Sequence, residues 1–243
     1  MAIRSDALTA KLSHLYPLSA DEEEVLQNAF SRVEDFARDR DIVREGTKPT
    51  QCSLLLDGFV FRYKVLPDGK RQILSFQVPG DVFDTQTYLL DTMDHTVAAL
   101  TPCRIAILRH DVMREITERF PRITRALWKE TLVEAAILRE WLTSAGRRSA
   151  FQRIAHLICE VFVRQRAVGR TRGLEMDWPI TQVEIGDALG LTHVHINRTL
   201  QELRRDGLIR LGGGTLEVLD WRGLMKGGQF DPSYLQLVHV DLP

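Results

Sequence analysis

The chain has 243 residues, of which 44% are hydrophobic and 27% charged, and a formal net charge of −1 at pH 7. That length and mix bury a sizeable core, which excludes a disordered or disulfide-scaffolded chain and fits two domains. The near-neutral total hides an asymmetry, because residues 1–145 carry 19 Lys/Arg against 22 Asp/Glu while residues 146–226 carry 13 against 9. Basic charge therefore collects in the back half, where phosphates would be met. No run approaches the roughly eighteen apolar residues of a membrane span, and the N-terminus lacks a signal-peptide core, so a cytoplasmic protein with no membrane partner is expected. Cys52, Cys103 and Cys159 are odd in number and far apart, which points to neither a disulfide framework nor a C-x-x-C site.

Residues 1–38 read as helical. Ser19 precedes Asp21-Glu22-Glu23-Glu24, acidic residues suited to a first helical turn, and Val25, Leu26, Ala29, Phe30 and Val33 form a stripe. The acidic run is capping chemistry rather than a metal site. From Ile42 to Leu108 the period changes to two, with runs of Val, Ile, Phe and Tyr broken by Gly46-Thr47, Asp57-Gly58, Pro67-Asp68-Gly69, Pro79-Gly80-Asp81 and Thr101-Pro102. Such spacing favours a rolled or closed antiparallel sheet. Between Asp111 and Ala145 a short helix to Phe120 and then a long one follow. On the long helix Ile123, Ala126, Leu127, Leu132, Val133, Ala135, Ala136, Ile137, Leu138, Trp141 and Leu142 cover more than one face. A helix apolar over so much of its circumference is expected to be buried on two sides, one against the roll and the other against a second copy. The alternative is a helix in the core of a single larger domain, which the roll is too small to wrap. Ile123, Leu127, Ala135, Leu138 and Leu142 are the expected dimerisation residues.

Gly146 to Ala150 reads as a hinge, Phe151 to Val163 as a supporting amphipathic helix, and Gly169-Arg170-Thr171-Arg172-Gly173 as an exposed basic loop. The most informative stretch is Ile180 to Leu219. Thr181 and Glu184 form an S/T-x-x-E capping box, Val183, Ile185, Ala188 and Leu189 fit one buried side, and Gly190 stops the helix. Thr192 caps a second helix whose Ile196, Leu200 and Leu203 face inward, leaving His193, Val194, Asn197, Arg198 and Gln201 outward. Leu208 to Leu219 then reads as strand, glycine turn and strand. The pattern is a winged helix-turn-helix, whose second helix enters the major groove of double-stranded DNA with its N-terminal residues. Arg198 has the fork for guanine O6 and N7, and Asn197 can pair with adenine. The expected DNA contacts are Thr181, Gln182, Thr192, His193, Val194, His195, Asn197, Arg198 and Gln201, with Thr192 and His195 suited to phosphate. His193 and His195 point in different directions on a helix, so they are not a metal pair. The bland reading of the same residues is a helical hairpin that packs on something and binds no nucleic acid.

Ile180 to Leu219 resembles the DNA-binding segment of the Crp/Fnr family of bacterial transcription regulators. The likeness extends to Ile42-Val43-Arg44-Glu45-Gly46, Leu54 to Gly58, Pro79-Gly80-Asp81, the long helix and Gly146 to Ala150. It implies an α+β fold: an N-terminal antiparallel β-roll of the cyclic-nucleotide-binding type with its helices (1–110), a dimerisation helix (111–145), a winged helix-turn-helix (146–226) and a tail (227–243). It further implies a homodimeric regulator on a palindromic operator, with RNA polymerase as a partner. The cyclic-AMP branch holds the phosphate with a Gly-Glu and an Arg-Ser pair; here Asp84-Thr85 and His95-Thr96 stand at those positions, and Asp84 repels a phosphate. Response to cyclic AMP is not expected, and the effector is left unidentified. The iron-sulfur branch needs clustered N-terminal cysteines, and none precedes Cys52. Haem needs one axial histidine, for which His95 and His110 are the positions to weigh, but a lone histidine is more often simply hydrogen-bonded. No cofactor or metal is expected. Relatives place a glutamate four residues before Arg198; here it is Val194, which suits a thymine methyl and implies a changed target sequence.

Two other classes share parts of the pattern. A cupin-like metal enzyme would need several histidines in the roll, and only His95 lies between Ile42 and Leu108. No Ser/His/Asp or Cys/His set stands out, so catalysis is not expected. A ligand-binding signalling adaptor with a helical C-terminal domain is the remaining alternative.

Overall fold

The computed structural model describes residues 6–237 and 240–243. They pack as two compact units, one of residues through Lys64 with Leu74–Val133, the other of Val65–Ile73 with residues from Glu134 on. No helix among the described residues is long and apolar enough to cross a membrane.

In the first unit, α1 (Asp6–Leu15) buries Leu8, Leu12 and Leu15 at i, i+4, i+7. The second helix, α2 (Ala20–Asn28), begins at the capping box that Ser19 and Glu22 close, Ser19 N donating to Glu22 Oε2 at 2.8 Å. The helical reading of 1–38 fails beyond it. Residues Arg32–Phe36 are strand β1, because pairing with a distant strand (Arg32 opposite Ile107, Phe36 opposite Cys103) supplies hydrogen bonds that no local period records.

The roll continues with β2 (Asp41–Val43), β3 (Gln51–Asp57), β4 (Val60–Val65), β5 (Arg71–Gln77), a 3₁₀ turn (Thr85–Tyr88), β6 (Thr96–Ala99) and β7 (Cys103–Arg109). They form two sheets, in orders β1-β7-β3 and β2-β6-β4-β5. Leu55, Val60, Phe83, Met93, Val97, Ile105 and Ile107 fill the core, with Phe36, Ile42 and Val43 packed against it. The Asp57-Gly58 turn needs its glycine: φ is +88°, and a Cβ there would stand 2.4 Å from Pro102 O. Then come α3 (His110–Arg119) and α4 (Pro121–Arg147), a helix of 27 residues.

A buried ion cluster joins α1, the Pro79-Gly80-Asp81 turn and α4. Lys11 Nζ donates to Asp81 Oδ1 at 2.7 Å and to Glu130 Oε1. Burial alone lowers the pKa of a lysine, but the two carboxylates outweigh it and hold Lys11 above its usual range. Asp81 also accepts from Val78 N at 2.9 Å, which fixes the turn. On α4, Ile123, Ala126 and Val133 are buried in the first unit, and Ile137 and Ser144 in the second. Trp128, Leu132, Leu138 and Leu142 are exposed, at 66%, 55%, 50% and 74%.

The second unit contains α5 (Ala150–Ala167), β8 (Thr171–Arg172), β9 (Glu175–Asp177), α6 (Gln182–Leu189), α7 (His193–Arg205), β10 (Ile209–Gly212), β11 (Thr215–Val218), α8 (Trp221–Gly228) and a 3₁₀ turn (Pro232–Leu235). Its sheet has the order β10-β11-β9-β8, so the wing is four-stranded. The Gly169–Gly173 stretch, expected as a loop, enters the β8–β9 hairpin, where Arg172 pairs with Glu175 at 2.7 Å.

Inside the roll, Asp84 is fully buried and accepts from Ser53 N at 2.5 Å. Burial pushes its carboxyl up to about 7. Between the ordinary aspartate value and about 7 the unfolded chain has released this proton and the folded chain keeps it, so Asp84 costs stability as pH rises through that window. Asp84→Asn should therefore melt above wild type at pH 8, with the gap closing towards pH 4; a gap independent of pH would refute this.

Candidate nucleic-acid interface

The interface is built from helix caps inward. Thr181 N donates to Glu184 Oε2 at 2.6 Å, Glu184 N to Thr181 Oγ1 at 3.4 Å, and the Thr181 hydroxyl to the same carboxylate. These bonds satisfy the first amides of α6 and bury Glu184 at 6% exposure. Gly190 ends the helix in the left-handed region at φ 64°. Gly186 lets the two helices close on each other, since a Cβ there would lie 3.0 Å from Leu191 O and 3.3 Å from Ile196 Cδ1.

Thr192 caps α7, accepting from His195 N at 3.4 Å. Ile196, Thr199, Leu200 and Leu203 are buried at 2% exposure or less. Each apolar side chain so buried contributes about 1.5–3 kcal/mol, enough to fix the helix's rotation about its axis. Thr192, His193, Val194, His195, Arg198 and Gln201 consequently stand exposed, and Asn197 is half-buried. Among the described residues, the side chains of His193, His195, Asn197, Arg198 and Gln201 make no hydrogen bond or ion pair. The outward face of α7 is thus a set of unengaged donors and acceptors around one guanidinium, with Val194 (72% exposed) as its apolar member. The positive end of the helix dipole lies at the same end.

The structure separates the predicted contacts. Thr181 is exposed, but its amide and hydroxyl are both committed to the cap; Gln182 is half-buried beside it. Val183, expected on the buried side of α6, is 63% exposed. It lies about 200° around the helix from Ile185, so both cannot face inward, and Ile185, Ala188 and Leu189 do. Of the expected dimerisation residues, Leu138 and Leu142 are exposed, Leu127 and Ala135 half-buried, and Ile123 fully buried. Ile123 is a correction: a side chain enclosed by its own chain has no surface left for a second copy. Trp128 is exposed as well, and its helical spacing to Leu132 and Leu142 puts it on their stripe.

Other residues hold the reader and left no sequence signal, because their partners are backbone carbonyls. Arg153 on α5 donates to Ala145 O (2.7 Å) and Arg148 O (2.9 Å) at the end of α4 and to Leu189 O (3.0 Å) at the end of α6. In the Val65–Ile73 segment of the same unit, Arg71 Nε and Nη2 each lie 2.8 Å from Asp187 Oδ2, and Gln72 donates to Ala188 O at 3.1 Å. The wing is tied to α7 by Arg204, which donates to Leu211 O, and braced by the Arg210–Glu217 pair across β10 and β11.

Comparison with known proteins meets this geometry at both ends of the chain. Residues 152–226 match the Crp-like helix-turn-helix domain and residues 33–120 the cyclic nucleotide-binding domain. The chain belongs to the Crp/Fnr family of bacterial transcription regulators. It is 28% identical over 221 residues to the nitrogen fixation regulation protein FixK of Bradyrhizobium diazoefficiens, covering 90% of this chain and 88% of that one. It is 27% identical over 175 residues to the transcriptional activator protein FnrL of Cereibacter sphaeroides, covering 71% and 70%. The solved structure of FixK2 from Bradyrhizobium japonicum shares the fold, with a TM-score of 0.71 at 23% identity over 81% of this chain and 96% of that one. The protein is thus a sequence-specific DNA-binding transcription regulator of the Crp/Fnr type, in a family of regulators rather than enzymes.

Among the described residues, the roll interior holds no free phosphate-binding set. Asp84 is enclosed, and beside it the buried Arg62 donates to Phe83 O through Nε (3.1 Å) and Nη2 (2.8 Å). His95 is buried with Nδ1 2.8 Å from Asp94 Oδ1, and His110 Nε2 lies 3.1 Å from Thr87 Oγ1. A nucleotide phosphate here would meet a carboxyl and a guanidinium already bound to main chain, so these residues do not fit the family's phosphate site. The three cysteines are buried and burial raises every thiol, the wrong direction for a reactive one. Calorimetric titration with cyclic AMP is expected to give no binding heat; saturable micromolar binding would overturn this reading of the roll.

Proposed function

We propose that the regulator acts as a homodimer in the cytoplasm, paired along α4, with one α7 from each copy in successive major grooves on one side of a palindromic operator. The observation that carries this is the exposed stripe of α4. At 100° per residue, Trp128, Leu132, Ala135, Leu138 and Leu142 fall within about 120° of arc, opposite the side that Ile123, Ala126 and Ile137 bury. Single exposed apolar residues are ordinary, but four large ones along one stripe mark a surface that another surface covers. Two-fold pairing then sets half-sites about one helical turn, roughly 34 Å, apart.

Within each half-site, Arg198 is the guanine reader, Asn197 and His193 flank it, and Val194 touches a thymine methyl. Thr192, His195, Gln182 and Gln201 serve phosphate or the groove edge. Relatives named as transcriptional activators support recruitment of RNA polymerase as the further partner. A duplex recovered by the 243-residue chain from a random pool should be palindromic. On it, Arg198→Ala should cost about 1–3 kcal/mol and blur preference at two symmetry-related base pairs. Unchanged selectivity, or a change at one position only, would contradict the proposal.

A further inference from the structure

The chain beyond the wing folds back on α5. Helix α8 lies so close that a Cβ on Gly228 would stand 2.7 Å from His156 N, and one on Gly227 2.9 Å from the Phe151 ring. Gln229 reverses the chain at φ 48°, and Phe230 and Leu235 are buried at 5% and 1% exposure. The Tyr234 ring stacks on His156 with centroids 5.9 Å apart and planes 12° from parallel, while Phe230 meets the same imidazole edge-on at 5.1 Å. Burial and then the neighbouring Arg148 hold His156 down to about 4, so the ring is a neutral stacking partner.

Behind this stack lies Glu160, fully enclosed on α5. Its carboxylate accepts from Tyr234 Oη at 2.8 Å and from Trp141 Nε1 at 3.2 and 3.3 Å, and Arg164 Nη1 is 3.5 Å away. Trp141 belongs to α4, Arg164 to α5 and Tyr234 to the returning segment. The hinge touches the same segment, since Arg148 pairs with Glu140 at 2.9 Å and reaches Gln229 O at 3.5 Å. A buried carboxylate is costly unless its lone pairs are met, so the three elements hold one another. Turning α4 against α5 breaks the Trp141 bond, and lifting the segment strips the Tyr234 bond from the same oxygens.

We propose that residues 229–237 form a latch that fixes the angle between α4 and α5, with the Tyr234 hydroxyl on Glu160 as its positioning contact. The latch is a property of a single chain. Its consequence for DNA rests on the dimeric reading above: with α4 paired, that angle sets how far apart the two reading helices stand, and hence how strictly half-site spacing is enforced.

Tyr234→Phe keeps the ring stack and removes the hydroxyl, which donates to Glu160 and also lies 3.1 Å from His156 Nε2. In hydrogen–deuterium exchange on the full chain, amides of residues 140–150 should exchange about tenfold faster in Tyr234→Phe, while those of 193–205 and of the roll keep wild-type rates. On selected duplexes, discrimination against half-sites moved by one base pair should fall several-fold, with affinity at the original spacing little changed. Wild-type exchange at 140–150 would overturn the latch, and so would a uniform rise across the chain, which marks ordinary destabilisation. The exchange arm needs no DNA. Loss of the latch and failure of operator binding are therefore read separately.

Discussion

Helix α4 is apolar on two opposite sides and the chain buries only one of them, and that constraint organises this molecule. Ile123, Ala126 and Ile137 give α4 its inner side, and the protomer encloses them. Trp128, Leu132, Leu138 and Leu142 give it an outer side that the protomer leaves in water. Each large side chain left exposed forgoes roughly 1.5–3 kcal/mol of burial. In the homodimer proposed above, a second copy would offer the same stripe and recover that energy by two-fold pairing, the commonest symmetry for soluble oligomers.

What the pairing would present is a reading helix whose rotation is already decided. Ile196, Leu200 and Leu203 anchor one side of α7, the capping box at Thr181 and the close approach at Gly186 fix its partner helix, and Arg153 gathers the ends of α4 and α6 onto α5. Because the anchors do not use them, His193, Asn197, Arg198 and Gln201 remain unengaged. Preorganisation of this kind spares a DNA-binding surface the entropy of ordering itself on contact.

Much of this was legible in the residues. Caps and periods are local, so the S/T-x-x-E box at Thr181, Gly190, the inward stripe of α7 and the period change at Ile42 could be read directly. The features that escaped depend on partners far away in sequence. Strand β1 is made by its pairing with β7, which local period cannot show. Ile123 and Trp128 each sit on α4, but which apolar side faces inward is decided by what packs on it, Lys11 of α1 reaching Glu130 and Glu22 of α2 reaching Arg122, and not by the helix alone. Arg153 acts on carbonyl oxygens, which every residue has, and Tyr234 acts on Glu160, 74 positions away. The outward position of Val183 follows from helix geometry alone, since its angular separation from the buried Ile185 is fixed.

The most direct test is sedimentation velocity on the 243-residue chain and on a Trp128→Glu, Leu142→Glu double variant, with circular dichroism as the check on folding. Wild type is expected at twice the 27.8 kDa chain mass and the folded variant at the single mass. A wild-type monomer at tens of micromolar, a level at which a dimer with submicromolar Kd would be assembled, would contradict it. So would a variant that remains dimeric.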